Sequence, residues 1–269
     1  MPNGPDGGEI ALKDLLLDPL RDPRPLLYGP GRLGIIWSAK SACTTLLLWY
    51  LWHCDLLSAA RFYGNWPHEF RYRVLYASQT YRSWADQAGE RGWSWLRVVR
   101  DPFTRAVSSY RHALRFGYED AKMARVLARP VDCKDGFSFE LFLDYLLRID
   151  IAACNLHHRQ QYHPIEGLVT PGEILNVDRE NMMERLRRID ATFEAPKEPA
   201  AALSRAIAEI TPYHHARASG VEGDQAATAF TARDASEAWP PHQAFLNDTT
   251  RARIAAIYAV DLARYAQYW

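Results

Sequence analysis

The stretch Leu33-Gly34-Ile35-Ile36-Trp37-Ser38-Ala39-Lys40-Ser41-Ala42-Cys43-Thr44-Thr45-Leu46-Leu47-Leu48-Trp49 decides the fold. Residues 33–37 are a short continuous apolar run, the pattern of a strand buried on both faces. From Ser41 the pattern changes to TTLLLWYLWHCDLLSAARF, apolar almost all round, as in a helix deep in a core. A strand, a short loop with a Lys and then a helix start make a cradle for an anion, because free backbone N–H groups and the helix dipole point into the loop. Lys40 adds a point charge, and Thr44 and Thr45 add hydroxyl donors. The loop is not a Walker A motif, since GxxxxGK[ST] is missing and Lys40 precedes the hydroxyls at the wrong spacing. For this segment alone, a Thr-capped helix with a solvated Lys is the plain alternative.

The flanking chain repeats the alternation. Residues 73–77 (RVLYA), 95–99 (WLRVV) and 172–177 (GEILNV) read as further strands. Helical patterns fill 103–116, 137–149, 180–189 and 249–265, the last capped by Thr249 or Thr250. Pro102 stands near the first turn of its helix, where it is tolerated. Strand–helix alternation predicts an α/β fold with a central parallel sheet flanked by helices, over 11–269, behind a loose tail at 1–10.

Composition narrows the function classes. With 48% hydrophobic and 12% aromatic residues among 269, the chain is too apolar to be disordered. Its 32 basic residues balance 32 acidic ones, which argues against a protein that coats nucleic acid or an anionic membrane. Any anion must be held by a few placed groups. The N-terminus is polar and acidic, unlike a secretory signal. The apolar stretch 45–57 is broken by His53 and Asp55 and is too short to span a bilayer. Four cysteines without a CxxC pair suit a reducing compartment, so no integral membrane segment and a cytoplasmic location are expected.

A second anion-ready junction follows the strand at 95–99: Val99-Arg100-Asp101-Pro102-Phe103-Thr104-Arg105-Ala106-Val107-Ser108. Arg100 stands at the carboxyl end of a buried strand, where open α/β sheets place ligands. Ser108 follows about two helical turns later and can lie on the ligand side of that helix. Arg105 and Arg111 read as solvated or paired.

At these residues the chain resembles a known family. IIWSAKSACTTLLLWYL looks like the 5′-phosphosulfate loop of sulfotransferases that use 3′-phosphoadenosine 5′-phosphosulfate (PAPS), and LRVVRDPFTRAVSSYRHAL looks like their 3′-phosphate motif. The Cys43-Thr44 pair is most similar to the HNK-1, chondroitin and dermatan type of carbohydrate sulfotransferase. More weakly, NLHHRQQ, EILNVDRENMMERL and the terminal IYAVDLARYAQY resemble later blocks. The resemblance implies a single-domain, P-loop-like three-layer fold. It implies PAPS as co-substrate, 3′-phosphoadenosine 5′-phosphate (PAP) as product, a glycan or glycan-like hydroxyl as acceptor, no nucleic acid and no metal. By the same resemblance Lys40 contacts the phosphosulfate and its bridging oxygen. Ser41, Ala42, Cys43, Thr44 and Thr45 supply loop donors, and Arg100 and Ser108 hold the 3′-phosphate. The family's usual Pro before the Lys is Ala39 here, and its loop Gly is Ala42. The membrane anchor of the animal Golgi enzymes is absent, which points to a soluble, bacterial-type relative.

Sulfuryl transfer also needs a base for the acceptor hydroxyl. His68 and Glu69 lie where related glycan sulfotransferases often carry one, after the first helix, and are the catalytic candidates beside Lys40. A loop His and a solvated Glu are the plain alternative. His157 and His158 come next. Cys154, His157, His158 and His163 are rich in metal-ligand types but match no metal-site spacing, so hydrogen bonding is expected of them. Two rival readings are a nucleotide-dependent kinase, disfavoured by the missing Walker patterns, and a non-catalytic nucleotide-binding module.

Overall fold

The computed structural model describes residues 11–64, 66–214, 217–218, 221 and 223–269. The tail expected at 1–10, His215 and parts of the loop at 219–226 lie outside them.

The apolar runs build the sheet. β1 (Leu26–Tyr28) and β2 (Leu33–Ile36) pair antiparallel across a turn in which Arg32 N–H donates to the Gly29 carbonyl at 3.0 Å. β3 (Ser94–Val99) runs parallel to β2. At their crossing, a Cβ on Gly34 would stand 2.3 Å from the Trp95 ring, so only glycine allows the indole to lie there. A short β4 (Phe137–Ser138) pairs apart with Ala229–Phe230. β5 (Glu173–Asn176) completes the main sheet parallel to β3, in the order β1–β2–β3–β5. The result is a mixed α/β architecture whose central sheet is mostly parallel, as expected, with an antiparallel edge strand that the three-residue run at 26–28 announced too weakly to read.

Helices flank this sheet. α1 (Leu12–Leu17) precedes it; α2 (Cys43–His53), α3 (Leu57–Tyr63), α4 (Pro67–Phe70) and α5 (Gln79–Gln87) connect β2 to β3. The long apolar helix expected from Ser41 is interrupted at Asp55, whose φ of 56° is left-handed. The strand expected at 73–77 is absent: Arg71–Leu75 is a π-helical turn, closed by Tyr76 N–H donating to the Arg71 carbonyl at 3.0 Å. The buried positions there are Arg71, Leu75 and Tyr76, a helical spacing, and a five-residue apolar run does not separate the two periods.

α6 (Pro102–Phe116) leaves β3 and carries the apolar face of a second core. α7 (Asp120–Leu127) and α8 (Phe139–Leu146) follow, then α9 (Met182–Arg187), α10 (Ala200–His214) and α11 (Ala232–Glu237). The C-terminal helix is two helices, α12 (Asp248–Ile257) and α13 (Ala259–Arg264), broken at Tyr258. Its cap is Asn247 rather than Thr249 or Thr250: Asn247 Oδ1 accepts from Thr250 N at 2.8 Å, and Thr250 Oγ1 answers Asn247 N. No helix among the described residues is long and apolar enough to cross a membrane.

Candidate anion-binding site

All three parallel strands end at one edge of the sheet, and each delivers polar residues there: β2 the loop 38–42, β3 Arg100 and Asp101, β5 Asp178. The edge is the ligand-binding end of an open α/β sheet.

The β2–α2 loop is held in an unusual backbone. Lys40 (φ 68°) and Ala42 (φ 53°) are both left-handed, a conformation that costs a residue with a Cβ about 1–2 kcal/mol. Ala42 is the N-cap of α2 and offers no side-chain cap. The N–H groups of Ala42, Cys43, Thr44 and Thr45 find no acceptor among the described residues. An eleven-residue core helix thus opens with its first donors idle, which is what an anion requires.

Lys40, in the same loop, is half-buried. No carboxylate among the described residues pairs with it. Burial and then the guanidinium groups of Arg100, Arg111 and Arg105 push its ammonium down to about 8, with only the Cys43 thiol acting in the other sense. A desolvated cation among like charges is a poor structural device and a good anion receptor.

The second junction touches the first. Arg100 Nη1 donates to the Lys40 carbonyl at 3.2 Å, and its Nε meets both carboxylate oxygens of Asp178 at 3.1 and 3.2 Å. Asp178 also accepts from Thr104 Oγ1. Asp101 caps α6, accepting from Phe103 N at 2.8 Å and Thr104 N at 3.2 Å, with Pro102 in the first turn as anticipated. Ser108 is half-buried on the same helical face as Thr104 and Arg111, its hydroxyl without a partner among the described residues. Arg105, read as solvated or paired, is buried instead, donating to the Ala39 carbonyl at 3.0 Å and the Arg159 carbonyl at 2.7 Å. It fixes the loop from behind.

One residue ties the two junctions together, and sequence reasoning had noticed only its surroundings. Gln161 accepts on Oε1 from Ser41 Oγ (3.1 Å) and Arg100 N (2.9 Å), and donates from Nε2 to the Arg100 carbonyl (2.8 Å). Its own N–H is held by Asp261 at 2.8 Å. Beneath it, Arg97 is fully buried inside β3, where its Nε lies 3.1 Å from Tyr265 Oη and from Glu166 Oε1, and Nη2 2.8 Å from Ser38 Oγ. An Arg inside a strand gives no signal that it is buried; the need to neutralise it does.

His68 and Glu69 part company on α4. His68 faces the loop: Arg71 Nη1 donates to Nδ1 at 3.0 Å, so Nε2 carries the hydrogen and donates to Thr44 Oγ1 at 3.1 Å. Glu69 is half exposed and paired with Arg73 at 3.1 Å, on the solvent side. The four possible metal ligands at 154–163 are engaged separately. Cys154 Sγ turns to the Ile151 and Asn155 carbonyls, His163 donates to the Arg21 carbonyl and accepts from Ile165 N, and His157 bonds Asn155. His158 is fully buried beside Glu119, at 3.7 Å too far for a hydrogen bond.

No family model matches the chain, and no curated protein or solved structure does either.

Proposed function

We propose that the chain is a PAPS-dependent sulfotransferase of P-loop-like, single-domain fold, moving the sulfuryl group to a hydroxyl of a glycan or glycan-like acceptor in the cytoplasm. The observation that carries this reading is the contact of two anion-ready strand–helix junctions, Arg100 of one on the carbonyl of Lys40 of the other, with no carboxylate paired to Lys40 among the described residues. A nucleotide phosphorylated at both 3′ and 5′ positions supplies two anions at separate points, and the two junctions offer two receptors. The idle N–H groups from Ala42 to Thr45, with the hydroxyls of Ser41 and Thr44, suit the 5′-phosphate. Arg100 and Ser108 suit the 3′-phosphate. Lys40 would neutralise the bridging oxygen as the sulfur–oxygen bond breaks, where charge develops most.

His68 stands next to this loop through Thr44, but both ring nitrogens are engaged, so acting as base requires it to release Arg71. Glu69 would have to leave Arg73. The rival kinase reading lacks any Walker pattern, and a non-catalytic module would use Lys40 for the same anion, so transfer and not binding separates it from the enzyme.

Calorimetry separates the readings. PAP should bind far better than AMP, because each buried charge-assisted contact to the 3′-phosphate is worth roughly 1.5–3 kcal/mol. Equal affinities would remove the role given to Arg100 and Ser108. Labelled PAPS offered with a glycan panel, with ATP as control donor, should yield sulfated product with PAPS alone. Phosphorylated product from ATP would favour the kinase, and nucleotide binding without transfer the non-catalytic module.

A further inference from the structure

We propose that His157 is the group that removes the acceptor's proton. This rests on the sulfotransferase reading and assigns a residue of the same site. His157 N–H and its ring Nδ1 both lie on Asn155 Oδ1, at 3.0 and 2.9 Å. A backbone N–H only donates, so Asn155 presents its oxygen, and Nδ1 must carry the ring hydrogen. Nε2 is then a bare lone pair. It has no partner among the described residues. The ring cannot wander: it stacks on His112 with centroids 4.1 Å apart, and Ser109 Oγ donates to its carbonyl at 2.9 Å. An imidazole with one nitrogen tied to an orienting acceptor and the other free is the arrangement of a general base. His68 and His163 have neither nitrogen to spare.

The charged and titratable groups facing the ring come from every side. The rings of His112 on α6 and Tyr118 after α6 lie against it, while Lys40 of the β2–α2 loop, Arg105 of α6, Arg71 of the π-turn and His158 of its own loop act on it through their charge. Burial and then Lys40, His158, Arg105 and Arg71 push the imidazolium down to about 3. A bound phosphosulfate cancels part of that positive field, so the ring becomes a better proton acceptor only once the donor nucleotide is in place. In the step, the acceptor oxygen bonds to sulfur as its proton passes to His157 Nε2. The bond from sulfur to the bridging oxygen breaks with its electron pair staying on that oxygen, beside Lys40. Sulfate ester, PAP and imidazolium result.

Diethyl pyrocarbonate, which acylates a bare neutral imidazole nitrogen, tests the geometry on the wild-type chain. Mass spectrometry should find His157 modified well before His68 or His163, and PAP should protect it. An unreactive His157 overturns the proposal. H157Q and H157A test the chemistry. PAP affinity, which also reports folding, should stay within about threefold, while PAPS turnover, onto the best glycan of the panel or onto water, falls about 10²–10⁴-fold. N155A should lose less and shift the rate profile along pH, since it frees the tautomer. Wild-type protein that transfers sulfate while H157Q transfers equally well overturns His157 alone, and loss in H68Q instead would give the role to His68. Wild-type protein that does not discriminate PAP from AMP overturns the sulfotransferase reading and this step with it.

Discussion

Lys40 is the residue where stability and binding oppose each other. Its ammonium titrates near 8 in the folded chain against an ordinary value near 10.5. Below about pH 8 it is charged in both folded and unfolded chains, and the folded chain bears the full cost of desolvation. Between about 8 and 10.5 the unfolded chain binds more protons, so this group's contribution to stability rises with pH. Replacing it by Met should therefore raise the melting temperature of the empty protein at pH 7, and the gain should shrink as pH passes 8. The same variant should lose PAP affinity. In the wild type, PAP binding near pH 8–9 should take up a proton, detectable as a buffer-dependent calorimetric enthalpy, because the bound anion restores the charge. Ala42 makes a second, independent case. It is exposed and left-handed, where a glycine would carry no Cβ penalty. Ala42→Gly should stabilise by about 0.5–1 kcal/mol in urea unfolding, the relief of a left-handed Cβ less the glycine's extra unfolded-state entropy, without weakening PAP.

Two strand–helix units hold the site, and a loop outside both sets their spacing. Each junction alone is legible in sequence because it needs only a local change of period, from buried strand to helix, with polar residues between. What joins them comes from the segment 155–163, far along the chain. Gln161 closes a bridge of three side-chain hydrogen bonds, from Ser41 on one unit to Arg100 on the other. Gln161→Ala leaves the Arg100 N–H and carbonyl and the Ser41 hydroxyl without their partner. Each net bond is worth about 0.5–1.5 kcal/mol, and an unsatisfied buried group costs more. The variant should lose about 2–4 kcal/mol of stability and at least tenfold in PAP affinity, read by urea unfolding and calorimetry. Unchanged PAP affinity in a destabilised variant would mean that the two units keep their spacing without it.

For the chain as a whole, a formal net charge of zero conceals an uneven distribution. Positive side chains crowd the carboxyl edge of the sheet, and four histidines near that edge or in the adjoining cores are held neutral. Burial is the leading cause for each: His157 and His158 are pushed down to about 3, His163 and His242 to about 4. The unfolded chain protonates its histidines near 6.5 while the folded chain does not, so it binds more protons throughout the window below 6.5. The histidine contribution to stability should be level above pH 7 and fall steadily as pH drops from 6.5 towards 4, by up to about 1.4 kcal/mol per pH unit for each histidine fully engaged. Thermal melts across that range check it. His157 is expected to weaken this dependence when PAP is bound, since the nucleotide raises its proton affinity.

The sequence by itself determined the alternation that makes a mostly parallel sheet, and both anion-ready junctions, because each depends on neighbours along the chain: periodicity, a Pro at a helix start, a Lys between strand and helix. It misread 73–77, where a five-residue stretch fits strand and helix equally and the folded chain makes a π-turn, with Arg71 packed over the Trp37 ring at 4.6 Å. From sequence position His68 and Glu69 stand ahead of His157; what the sequence does not show is which partners each engages, Thr44 and Arg71, Arg73, or Asn155 alone. Those partners are fixed by contacts between elements distant in sequence, and so are the burial of Arg97 and the bridge through Gln161. Hydrogen-bond saturation and desolvation are properties of the folded surroundings, and the folded chain alone assigns them.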